Sequence, residues 1–288
     1  YDGSSRFRSD SRWGWFPAIS AGWNVANETF FAEVAPFINQ FKLRASYGEL
    51  GNQNTEEWYP TYVTQPTGTA NGGWLINNAR PNTASAPGLV SALLTWESIN
   101  TTNIGLDFAL LSNKLSGSFE VFNRRTLNMV GPAPQLPVTL GTAVPQTNNT
   151  DLKTTGFEAT LGWNDRTSGD FGYNVKFLLS DYQTTITKYP NAIGALSTYR
   201  DGEKLGDIWG FETIGIAKTQ EEMDQHLARL PNGGQDAVGA QWSAGDIMYK
   251  DLNGDGKIDW GSSTVSDPGD QRIIGNSTPR YSFGLNLG

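Results

Sequence analysis

Residues Phe41-Lys42-Leu43-Arg44-Ala45-Ser46-Tyr47-Gly48 alternate between apolar and polar or small side chains, and this alternation limits the chain more than any other feature. Successive side chains of an extended strand point to opposite faces. Phe41, Leu43, Ala45 and Tyr47 therefore share one face, and Lys42, Arg44, Ser46 and Gly48 the other. The pattern predicts seven strands: Trp15 to Val25, Phe41 to Glu49, about Leu94 to Leu111, Leu115 onward, about Asp151 to Trp163, about Phe171 to Lys188, and Tyr281 to Leu287. In the first of these, Trp15, Ile19, Ala21, Trp23 and Val25 are expected on one face.

The connections add a second constraint. After the third and fifth strands they are tight, at Ser112-Asn113 and Asn164 to Asp170, and after the first the connection is moderate. After the second, fourth and sixth they are long: Leu50 to Leu93 without clear period, Gly131 to Asn149 with four prolines, and a region over 189–278. Transmembrane barrels place short turns at one end and long external loops at the other. A soluble sandwich alternates too, but need not gather its long loops at one end. The expectation is all-β: an antiparallel transmembrane β-barrel segment with long extracellular loops and one short loop helix, its apolar face against outer-membrane lipid.

Composition supports this reading. Charged residues are 17% and aromatics 12%, low and high for a soluble domain. The net charge of −8 argues against nucleic acid. Without cysteine, the chain has no disulfide, thiolate metal site or Cys nucleophile. No run of about 18 apolar residues marks a membrane helix, which leaves a barrel untouched because alternation averages its hydropathy away. The opening Tyr1-Asp2-Gly3-Ser4-Ser5 reads as mid-protein sequence and the end falls inside a strand pattern, so a piece of a longer chain is expected.

Thr219-Gln220-Glu221-Glu222 matches a capping box, with Met223, Leu227 and Leu230 as an apolar stripe and Pro231 beyond the end. His226, the single histidine, is expected at the surface of this helix. Asp251-Leu252-Asn253-Gly254-Asp255-Gly256-Lys257-Ile258-Asp259 has the start of a calcium loop, with side-chain oxygens at Asp251, Asn253, Asp255 and Asp259, the Lys257 carbonyl, and Gly256 at the sharp turn. Ser262 replaces its bidentate Glu, and no helix precedes it. The alternative is an Asp/Asn/Gly turn cluster. No cofactor is required; calcium is the one considered. Trp58, Trp74 and Trp242 fall in long loops and are candidates for stacking on a ligand, against packing within the loops. No nucleophile, phosphate-loop or dinucleotide motif is present, and an enzyme is not expected.

Several segments, in order, resemble the barrel of SusC/RagA-like TonB-dependent outer-membrane transporters of Bacteroidetes. They are Arg12-Trp13-Gly14-Trp15-Phe16-Pro17-Ala18-Ile19-Ser20-Ala21-Gly22-Trp23, Lys42 to Gln53, Thr95-Trp96-Glu97, Asn103-Ile104-Gly105-Leu106-Asp107-Phe108, Lys153-Thr154-Thr155-Gly156-Phe157-Glu158, Gly245 to Gly256, and Ile274 to Tyr281. The resemblance implies a plugged barrel of about 22 strands, of which 1–288 is a partial barrel domain lacking plug, TonB box and closing strand. It implies import of oligosaccharides or peptides, a SusD-like lipoprotein over the extracellular face, and energy from TonB–ExbB–ExbD through the parent chain. The inward charges Lys42, Arg44, Asp107, Lys114, Glu120, Glu158 and Lys176 suit a wet or plugged lumen. The alternative is a secreted glycan-binding β-sandwich domain.

Overall fold

The computed structural model describes residues 1–55, 57–69, 75–84, 87–91, 94–133, 144–167, 169 and 171–288. In chain order it contains β1 (Asp2–Gly3), β2 (Trp13–Gly14), β3 (Ala18–Asn24), a 3-10 turn (Val25–Asn27), α1 (Thr29–Val34), β4 (Ile38–Asn52), β5 (Thr67–Thr69) and β6 (Asn82–Ala84). Then follow β7 (Glu97–Leu110), β8 (Leu115–Gly131), β9 (Thr147–Arg166), β10 (Gly172–Lys188), β11 (Asp207–Phe211), β12 (Thr213–Ile216), α2 (Gln220–Ala228), β13 (Ile247–Tyr249), β14 (Gln271–Asn276) and β15 (Ser282–Leu287).

Seven of these strands form one antiparallel sheet in the order β15-β10-β9-β8-β7-β4-β3. Each strand pairs with the strand that follows it in the wall. The register lines residues up across the sheet in rows. One row runs Trp23, Leu43, Leu106, Phe119, Ala159, Leu179, Phe283. The row below, on the side of the short turns, is Phe41, Phe108, Gly117, Leu161, Phe177, Leu285, and below that Leu110, Leu115, Trp163, Val175, Leu287. The row above is Ala21, Ala45, Ile104, Val121, Phe157, Asp181. Beyond it the outward face turns polar, at Thr102, Asn123, Thr155 and Gln183. Four rows, two residues apart, span about 20 Å along the strands, or about 15 Å of height on strands tilted about 40°, which fits within the apolar band of a barrel of this class, about 25 Å.

This belt is exposed. Phe283 is 78% accessible, Ile104 58% and Phe119 46%. Among the described residues the other sheets have only two strands each, too few to form the second layer of a sandwich, so the β-sandwich alternative does not describe this fold. The other face is polar: Gly22, Arg44, Gly105, Glu120, Glu158, Ser180 and Ser282 form one row. Gly105 leaves room there: a Cβ would stand 2.9 Å from the Arg44 guanidinium that crosses its strand and would push that side chain aside.

The tight connection 111–114 carries positive φ at Leu111, Ser112 and Asn113 (55°, 57° and 66°), and the Asn113 N–H donates to Asn39 Oδ1. Boundary expectations change at several strands, among them β4, which runs Ile38–Asn52 rather than Phe41 to Glu49, and β7, which starts at Glu97 rather than about Leu94. Trp15 and Val25 lie outside β3: Trp15 packs on Tyr1, and Val25 is buried in the 3-10 turn. β9 begins at Thr147, several residues before the expected Asp151, because threonine and asparagine pair in a ladder without advertising a face.

Much of the buried apolar core lies in the connection between β10 and β15. Two clusters form there: Phe211, Leu230 and Ile258, and Ala217, Met223 and Met248. β11 pairs with β14 and β12 with β13, and Met223 of α2 packs against Ala217 and Met248 at the end of the second pair. The Thr219 cap is present, its Oγ1 accepting from Glu222 N at 3.2 Å, while Glu222 Oε2 reaches one residue past the cap and accepts from Lys218 N at 2.8 Å. His226 is a correction. It is buried at 7% accessibility, its Nε2 lying 3.0 Å from Gln235 Oε1. Gln235, fully buried, also accepts from Tyr249 N and donates to the Ile247 carbonyl, tying α2 to β13.

Candidate functional site: the inner wall and the long loops

Arg44 organises the inner wall. Its Nε and one terminal nitrogen donate to both oxygens of Asp107, at 2.8 and 3.0 Å, and the other reaches Glu120 Oε2 at 3.2 Å. Asn103 donates to the remaining oxygen of Glu120. Glu158 stands directly across from Glu120 as a second carboxylate. One guanidinium thus holds two carboxylates on a water-accessible face, which a packed apolar core would not accommodate.

Trp58 lies at the long-loop end. With Tyr59, Tyr62, Leu89 and Leu94 it lines an open pocket of about 680 Å³, closed on one side by Val144, Pro145 and Gln146 from the connection between β8 and β9. The Arg6 guanidinium stacks 4.5 Å from the Trp58 ring, and is itself held by Gln53 O, Thr55 O and Thr55 Oγ1. Trp58 is 73% accessible, so its free face is available. Tyr59 and Tyr62 pack edge to face beside it. Sequence reading overlooked these two tyrosines and Arg6. The run Trp58-Tyr59-Pro60-Thr61-Tyr62 was the available signal for the tyrosines; nothing in the sequence links Arg6 to them.

Trp74 lies outside the described residues. Trp242 does not join the Trp58 pocket; it packs on the cluster of Ala217, Met223 and Met248 and meets Tyr249 edge to face at 6.1 Å.

In the loop at Asp251, each side chain shapes the turn that follows it. Asp251 accepts from Gly254 N and Gly256 N, Asn253 Oδ1 from Asp255 N, and Asp255 Oδ1 from Lys257 N. Asp259 Oδ2 pairs with the Lys257 ammonium, which also lies 3.9 Å from Asp255. The ammonium, then the Gly261 N–H, hold the Asp259 carboxyl below its ordinary range, and Asp259 holds Lys257 above its own. The fully buried Asp270 accepts from Leu252 N at 2.7 Å and Asp259 N at 2.9 Å, pinning both ends of the loop. Among the described residues no three acidic or histidine side chains converge as a ready metal cluster. The Lys257 ammonium is the cation of this loop, set beside Asp255 and Asp259.

A second pocket, about 570 Å³, lies between Tyr189, Trp209 and Ile273. Arg200 lines it, paired with Glu203 at 3.1 Å and 5.2 Å from the Trp209 ring. Burial pushes the Glu203 carboxyl up.

Comparison with known proteins gives this wall a family. The family model described as TonB dependent receptor-like, beta-barrel, matches residues 1–286. TonB-dependent receptor P3 of Formosa agariphila is 27% identical over 99% of this chain and 27% of its own length. TonB-dependent receptor SusC of Bacteroides thetaiotaomicron is 26% identical over 92% of this chain and 26% of its own. Among solved structures, the RagAB peptide importer in its closed-closed state matches with a TM-score of 0.67, at 20% identity, over 99% of this chain and 29% of that one. The chain thus spans about a quarter of the length of the curated relatives it matches. Such receptors are transport proteins of the outer membrane rather than enzymes. The chain belongs to the TonB-dependent receptor β-barrel family, and its seven-stranded sheet is a section of an outer-membrane barrel wall.

Proposed function

We propose that the protein to which this wall belongs imports oligosaccharides or peptides across the outer membrane, driven by TonB–ExbB–ExbD. A SusD-like lipoprotein would close over the long loops, and residues 189–278 would face the cell exterior. One observation carries the reading. A single sheet presents an apolar belt on one face and the Arg44-Asp107-Glu120 network on the other, with its long connections gathered at one end. The Trp58 pocket at that end offers a ring face beside two tyrosines, chemistry that suits a sugar ring or an aromatic peptide side chain. Uptake of labelled oligosaccharide and peptide pools is measured in cells with and without the parent gene. Uptake that needs the gene, collapses with a protonophore and falls about tenfold with Trp58→Ala supports the proposal. Uptake indifferent to the gene contradicts it.

We further infer that calcium can take the place of the Lys257 ammonium in the loop at Asp251. Asp251, Asn253, Asp255, Asp259 and the Lys257 carbonyl would hold it, and its charge would draw the loop's turns tighter. The turn pattern supports this. Slower backbone exchange over 251–259 on adding calcium to the full chain is the expected result; exchange unchanged at millimolar calcium overturns it.

A further inference from the structure

Arg125 of β8 and Lys153 of β9 are direct cross-strand partners. Both share the outward face with Val121 and Phe157, the last apolar pair of the belt, from which Asn123 and Thr155 separate them. Side chains facing each other on antiparallel strands stand about 5 Å apart at Cβ, and like charges so placed repel. Among the described residues neither makes a hydrogen bond or ion pair. Their neighbours in the row are Asn100 and Thr185, both uncharged. Asp151, on the same face, uses one oxygen on the Asn128 N–H, and Glu49, at the far end of the row, takes the Tyr47 hydroxyl. Two cations thus face one nearby carboxylate, Asp151, in a chain of net charge −8, and this is a local excess of positive charge.

Its height is informative. The pair lies four residues along the strand beyond Val121 and Phe157, about 13 Å. On strands tilted about 40° that is about 10 Å above the apolar belt, within reach of a lipid headgroup layer.

We propose that Arg125 and Lys153 together bind the phosphate of an anionic lipid in the leaflet at the long-loop end. The inference rests on the reading of the apolar belt as lipid-facing and of the long loops as external. A guanidinium grips phosphate through two parallel N–H···O bonds and an ammonium adds a mobile point charge. One phosphate between them turns a cross-strand repulsion into two attractions. The headgroup would anchor lipid against β8 and β9.

The test uses the full-length parent chain, purified in non-ionic detergent, with lipid retention read by native mass spectrometry. The probes are bisphosphorylated lipid A, its dephosphorylated form, and inorganic phosphate as competitor. The variants are Arg125→Gln with Lys153→Gln, the single Lys153→Gln, and Arg124→Gln, whose side chain faces the lumen from the neighbouring position. The phosphorylated lipid is expected to be retained by the wild type and Arg124→Gln, and about tenfold less by the double variant, with the single variant between. Dephosphorylated lipid should bind all forms alike, and inorganic phosphate should not displace the lipid. Equal retention by wild type and the heat-modifiable, folded double variant overturns the site; so does displacement by inorganic phosphate, which marks a free-anion site. If the double variant does not fold, the same comparison rests on Lys153→Gln. A parent chain recovered with soluble material would overturn the membrane reading itself, whereas an outer-membrane chain with unchanged lipid retention would overturn this site alone.

Discussion

Arg280 holds Asp181 through a fork of two bonds, Nε to Oδ1 at 2.6 Å and a terminal nitrogen to Oδ2 at 2.5 Å, across 99 residues of sequence. Asp181 stands at the loop-side edge of the apolar belt, opposite Phe157. Arg280 comes just before β15 and lies 5.5 Å from the Tyr281 ring. The pair fixes where the chain re-enters the wall after its longest excursion. A slip of one residue there would turn Phe283, Leu285 and Leu287 into the lumen. With Arg280→Met, backbone exchange over Ser282–Leu287 should accelerate while β7, β8 and β9 keep their protection. Hydrogen-exchange mass spectrometry in detergent checks this, and unchanged exchange in β15 would refute the pairing's role.

Gln235 joins three elements of the folded loop from a fully buried position, through His226, Ile247 and Tyr249. Gln235→Ala removes those partners at once and leaves the Ile247 carbonyl and Tyr249 N–H unmatched. The loop unit should lose about 2–4 kcal/mol of local stability. Limited proteolysis should then cut between β11 and β14 while the barrel keeps its heat-modifiable migration. Equal resistance of wild type and variant would contradict the latch.

Acid should loosen the same unit. The Lys257 ammonium holds Asp259 below its ordinary 3.8, and the Ser262 hydroxyl does the same for Asp267. An acid whose pKa is depressed by folding stabilises the fold fully above its unfolded value, and that contribution is lost as pH falls through the folded value. The loss therefore begins below about pH 4. Glu203 acts oppositely: burial raises its pKa, so its protonation relieves a cost as pH falls. Protection of 251–271, corrected for intrinsic exchange, is expected to hold from pH 8 to 5 and fall below about pH 4. A loss centred near neutrality would exclude these carboxylates as its cause.

The wall was legible in the sequence because its physics repeats every two residues. Phe41 to Tyr47 declared both faces of β4, and the structure places Leu43 and Arg44 on opposite sides. Legibility stopped where that period stops. Thr147 to Thr150 are polar on both faces, so only pairing with β8 reveals the strand. In the folded loop the strands run three to six residues, too short for a period. Its core assembles Phe211, Leu230 and Ile258 from distant positions. His226 was misplaced because a helix of nine residues with a weak apolar stripe gives no warning that Gln235 will close over it.

The most direct measurement is a cysteine scan across one strand pair; residues 1–288 contain no cysteine, and any elsewhere in the parent chain is first replaced by serine. In the full-length parent chain, held in outer-membrane vesicles, single cysteines replace Phe119 and Leu161 on the belt and Ser118 and Thr160 on the inner face. A barrel wall requires that a lipid-phase photolabel reach only the first two and a water-soluble maleimide only the second two. Alternation of labelling in that sense bears out the wall; uniform labelling, or reversed faces, contradicts it.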